Sequence, residues 1–162
     1  MVPLEVRNFG GICVDTTLWP LILWVSPAGR LPDAAPASAL EYVLELWRRA
    51  PGTKSFMVTD LSLLKEPPPA TQRRAAAQFM VLHEELQLRA ALGGALVITS
   101  AAIRGVITAV FWMWPPPSSL KVFATRTEAI LYGLDQLESH GGPLPPGLLE
   151  LRRSLTNRLA VF

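Results

Sequence analysis

Residues Leu92 to Phe123 read LGGALVITSAAIRGVITAVFWMWPPPSSLKVF. How this stretch divides decides the fold. Gly93-Gly94 reads as the end of a preceding helix. Ala95 to Thr99 is apolar, branched and of strand length, which predicts a buried strand. Thr99 or Ser100 is placed to cap a helix that runs to about Trp114. Pro115, Pro116 and Pro117 then stop it, because proline has no amide proton and crowds the preceding turn. Leu120 to Phe123 reads as the next strand. A strand, a helix and a strand in so short a span predict a parallel crossover and an α/β core.

The same stretch admits a membrane reading. Between Gly94 and Trp114 only Arg104 is charged, and the run is long enough to cross a bilayer. Arg104 lies at its centre, however, where insertion costs about 2.5–3.5 kcal/mol. The pairs Gly93-Gly94 and Thr99-Ser100 also punctuate it as element boundaries do. A protein core is therefore expected, with no integral membrane insertion.

Composition bounds the rest. A chain of 162 residues is long enough for one domain with a real core. At 50% hydrophobic and 17% charged it is more apolar than an ordinary soluble domain. That surplus predicts an apolar surface patch, for a partner or a lipid. A net charge of +2 is too small to argue for nucleic acid. The single cysteine, Cys13, excludes an intramolecular disulfide and suits a reducing compartment. No basic segment precedes an apolar one around Glu5 and Arg7, so no secretory signal is read and the cytoplasm is expected.

Working outward toward the N-terminus, Leu4 to Asn8 alternates, Gly10-Gly11 marks a turn, and Ile12 to Thr16 pairs back as a hairpin. Leu21 to Val25 is a third strand, with Pro20 at its start, where a missing donor is tolerated. Ser38 with Glu41 makes a capping box for a helix to Arg49, and Leu40, Val43, Leu44 and Trp47 form its stripe. Ser55 to Thr59 is the next strand, and Lys65 to Pro69 a stiff connector. A second helix is expected from Thr71 to Leu92, with Ala75, Phe79, Leu82, Leu86 and Ala90 on one side.

Beyond Phe123, Thr125 and Glu128 form a second capping box, and Ala129, Ile130, Gly133, Leu134 and Leu137 an inner face. His140-Gly141-Gly142 ends that helix. Leu144-Pro145-Pro146 is a linker, and Leu148 to Leu159 an amphipathic helix that docks on the domain, swaps, or lies on a membrane surface. The expected architecture is thus α/β: a mixed β-sheet with parallel core strands and about four helices over residues 1–140. Residues 141–162 add the linker and a C-terminal helix.

The element order resembles STAS-like, or SpoIIAA-like, domains, the bacterial anti-sigma-factor-antagonist fold. The resemblance spans about residues 4 to 139. It is carried by the strand ending Asp60-Leu61-Ser62 and by Val122-Phe123-Ala124-Thr125-Arg126-Thr127-Glu128-Ala129, similar to that family's strand followed by an F-x-T-x-x-E-A helix. It implies a non-enzymatic module that binds protein partners. Some members are switched by phosphorylation at the start of the second helix, within an Asp-Ser-Ser-Gly-like element. Here Pro69-Ala70-Thr71-Gln72-Arg73 stands in that place, without the aspartate or the glycine. Thr71 is the candidate phosphosite, since a helix N-terminus favours phosphate, and a plain N-cap is the simpler role.

Catalytic chemistry has few candidates. A Cys13–His83 nucleophile needs both groups on one cleft, and a buried structural cysteine with a helix-surface histidine is the plainer reading. Two histidines and one cysteine make no metal set. Gly93-Gly94 and Gly141-Gly142 lack phosphate-loop spacing. Asp15 and Asp60, at strand ends, suit turns or caps better than acid–base work. Neither an enzyme nor a cofactor or metal is expected. The informative element is the apolar helix: Val106, Ile107, Val110, Phe111 and Trp114 form a stripe that Ile103, Trp112 and Met113 widen. Such a helix suits a homo-oligomer or protein-partner interface, or coverage by the proline loop or the C-terminal arm. The other class of function is a carrier of a small apolar or lipid ligand, as in SEC14-like relatives of this topology.

Overall fold

The computed structural model describes residues 2–31, 33–113, 115–116 and 118–159, the side chains of Met113 and Leu159 excepted. Among the described residues six strands form one sheet in sequential order: β1 (Val6–Phe9), β2 (Ile12–Asp15), β3 (Leu21–Val25), β4 (Ser55–Asp60), β5 (Ala91–Val97) and β6 (Leu120–Phe123). The β1–β2 and β2–β3 pairs are antiparallel; β3–β4, β4–β5 and β5–β6 are parallel. The sheet is therefore mixed with a parallel core, as the crossover pattern predicts.

The helices are α1 (Ala35–Arg49), α2 (Ala70–Leu82), α3 (Glu84–Ala90), α4 (Ala101–Met113), α5 (Arg126–Gly141) and α6 (Pro146–Leu159). Three successive crossovers of one hand, stepping the same way across the sheet, place α1 to α4 on one face. Ile12, Val14, Ile22, Trp24, Leu96 and Ile98 meet Val43, Leu44, Trp47, Ala90 and Ile103 there. The opposite face, with Leu21, Phe56, Val58, Ala95 and Val97, packs on Ala129, Ile130, Leu134 and Leu137 of α5 and on Leu148 and Leu155 of α6. Each fully buried aliphatic side chain contributes about 1.5–3 kcal/mol. The C-terminal helix is thus docked on the domain, and Arg152 ties it to Asp135 and Glu138 of α5 at 3.0 and 2.8 Å.

Three local expectations are corrected. First, α1 starts at Ala35 rather than at a Ser38–Glu41 box: a proline in its first turn presets the helical φ, and Ser38 Oγ bonds back to Ala34 O at 3.4 Å. Second, the long helix expected to Leu92 breaks at His83 into α2 and α3, so the helices number six among the described residues. The break turns Gln87 and Ala90 into the core while leaving Leu82 in solvent. Third, Gly93 and Gly94 do not end a helix but lie inside β5. Gly93 holds a φ of +143°, and a Cβ there would sit 2.6 Å from Ser119 O. The chain leading into β6 therefore crosses bare backbone at this point. A register shift between Ser55 and Phe56 accompanies it.

Candidate interaction surface

Helix α4 begins where Ser100 Oγ accepts the Ile103 amide at 3.4 Å, so Ser100 is the cap of the two candidates. Arg104 is exposed, and its Nη2 folds back to donate to Ile98 O at 3.0 Å, over the end of β5. Ile103 and Val110 are buried against the protein's own sheet, with Ile107 and Phe111 partly buried beside them. These four follow the helical repeat and form the inner stripe. Val106 is half-buried at the margin. Ala101, Ala102, Arg104, Gly105, Thr108, Ala109 and Trp112 are exposed on the remaining circumference, Trp112 at 83%. The candidate interface thus splits. Ile103 and Val110 are taken up by the core, Trp112 faces solvent, and the Met113 side chain and Trp114 lie outside the described residues.

On the same face of the sheet, between α1 and α2, lies an apolar cleft of about 90 Å³. Leu40, Val43 and Trp47 of α1, Met57 of β4, and Phe79 and Met80 of α2 line it. Its position was hidden in the sequence because it depends on the break at His83 and on the bare backbone of Gly93 and Gly94.

The chemistry-bearing residues are kept apart. Thr71 is exposed in the first turn of α2, but the N-cap is Pro69, with no side-chain cap. Cys13 alternates with Ile12 and Val14, so it points to the face opposite α1, whereas His83 sits between α2 and α3 with its ring 4.7 Å from that of Phe79. Burial pushes the Cys13 thiol pKa up and Asp15 adds to this, against an opposing effect of Arg126. The protonated thiol is then the neutral-pH form, a poor nucleophile. Asp15 Oδ1 accepts the Thr17 amide at 2.9 Å and its hydroxyl at 2.6 Å, a turn role.

Asp60 carries more. Its side chain is 3% exposed at the C-terminal end of β4, where Oδ1 accepts the Ser62 amide at 2.8 Å and Oδ2 the Arg126 Nε at 2.6 Å. Burial pushes its pKa up, but the Ser62 and Arg126 hydrogen bonds and the Arg126 charge outweigh that, and the carboxyl lies below its ordinary value. No local pattern in the chain pairs Arg126 with it, since the two are 66 positions apart. Among the described residues no three His, Cys, Asp or Glu converge as a metal site, and no helix is long and apolar enough to cross a membrane. Compared with known proteins, the chain matches no family model, no curated sequence and no solved structure.

Proposed function

We propose that the chain is a non-enzymatic interaction or regulatory module, STAS-like in kind, that self-associates in the bacterial cytoplasm through the outward side of α4. One observation carries the reading: Trp112, 83% exposed on a helix whose other outward residues are mostly small and include no carboxylate. An indole left in water forgoes about 1.5–3 kcal/mol of burial, and tryptophan is the residue type most enriched at interface hot spots. Ala101, Gly105 and Ala109 would let another helix approach closely, and a second copy presents the same surface, as a two-fold dimer requires. The single free thiol of Cys13 supports a reducing compartment. Kinship with the STAS-like fold is supported by the mixed sheet and by the box-capped helix after Phe123.

Light scattering over a range of concentrations tests this. A dimer is expected, and Trp112→Glu should weaken it about 30-fold, equivalent to about 2 kcal/mol. A dimer indifferent to that substitution would reject this surface. A strict monomer that co-purifies with lipid would instead favour the second reading, a carrier of a small apolar ligand, which the cleft beside Trp47 supports.

A further inference from the structure

Helix α2 lies on the domain without being built into it. Ala77 is its one buried side chain among the described residues, while Val81 and Leu82 are 63% and 77% exposed. Two voids lie along its seam with α1. The cleft of about 90 Å³ lies beyond Phe79 and Met80, and a second hollow of about 70 Å³ is lined by Pro36, Ala37, Leu40, Gln72, Ala75, Ala76 and Phe79. Phe79 and Leu40 line both, so Phe79 is the plug between them.

The attachments sit at the ends of the helix. Gln72 Nε2 donates to Leu31 O at 3.3 Å and Asp33 Oδ1 at 3.4 Å, and Gln87 Nε2 donates to Met80 O at 3.1 Å. Before Ala70 runs Pro67-Pro68-Pro69, which has no amide protons to tie it down. After Leu82 the backbone leaves helical geometry at His83, with φ −113° and ψ 18°. Beyond that break α3 is anchored by buried Gln87 and Ala90. A rigid element with few buried contacts, bounded by two breaks and seated over voids on its α1 side, has the makings of an independent opening unit.

We propose that α2 is a flap, hinged at Pro69 and His83, that lifts from α1 as one body. Opening withdraws Phe79, joins the two voids and bares Leu40, Val43, Trp47 and Met57 as one apolar floor. The motion is independent of self-association through α4, and its test needs neither ligand nor dimer. Hydrogen–deuterium exchange followed by mass spectrometry on the full chain reads it directly. The peptide covering residues 70–82, including the central amides of Ala76 and Ala77, should exchange together, on the order of 100-fold faster than peptides from β4 and α5. Phe79→Ala should speed α2 exchange a further tenfold or so while β4 and α5 keep their rates. Central α2 amides as protected as those of β4, or exchange that merely frays inward from the helix ends, would overturn the flap. So would a Phe79→Ala effect spread equally over the whole sheet. The wild-type measurement decides even if that variant does not fold.

Discussion

At Asp60 the fold keeps a charge that burial alone would neutralise. Its depressed pKa makes stability depend on pH, with a definite sign. A carboxyl whose folded value lies below its unfolded one contributes stability above the unfolded value of about 3.9, and that contribution is lost as pH falls through the lower folded value. Arg126 is half-exposed, so solvent screens part of the pairing. Removing the guanidinium in Arg126→Gln should cost about 1–2 kcal/mol at pH 7 and less near pH 2, where the carboxyl takes up its proton. Urea unfolding at the two pH values checks this; equal losses at both would mean that Arg126 acts through packing rather than charge. The Asp60–Ser62 bond is local, and a turn role for Asp60 was legible in the chain. The Arg126 partner was not, because nothing in a run of residues reveals which side chain 66 positions away shares its end of the sheet.

Among the elements, what was legible had a local cause. The hairpin announced itself through Gly10-Gly11, both with positive φ in the structure. Helix α5 did so through Thr125 and Glu128, whose reciprocal hydrogen bonds are both present. The parallel core followed from the strand–helix–strand span before Phe123. What was misread had a distant cause. Gly93-Gly94 looks like a helix stop because the reason for glycine there, the nearby Ser119 carbonyl, arrives from the far side of α4. Gly93→Ala tests that cause: a Cβ 2.6 Å from a backbone oxygen, at a φ that side chains avoid, should destabilise by about 2–3 kcal/mol. Chemical denaturation measures the loss; a change under about 0.5 kcal/mol would show that the β5–β6 crossing has room to spare. The break at His83 was likewise invisible, since Phe79, Leu82 and Leu86 keep helical spacing straight through it.

Over the whole molecule the two faces of the sheet differ in how firmly they are covered. On one, α5 lies directly on the central strands, and α6 closes beside it with Leu148 and Leu155 buried, as is Leu144 just before it. On the other, α1 is well buried, while α2 rests beside voids and α4 turns Trp112 to solvent. Binding and motion both belong on the looser face, because surfaces that recognise or open come from the least consolidated parts of a fold. The firm face should then melt only with the domain. Leu148 is 1% exposed and packs into the same cluster as Phe56 and Leu134. Leu148→Ala should therefore cost about 2–5 kcal/mol and lower Tm by about 5–15 °C in a single cooperative transition. If α6 were a loose arm, the same substitution would erode a little helical signal early and leave the main transition where it was. Calorimetry beside far-ultraviolet circular dichroism separates the two outcomes, and an unmoved main transition would remove α6 from the core of the fold.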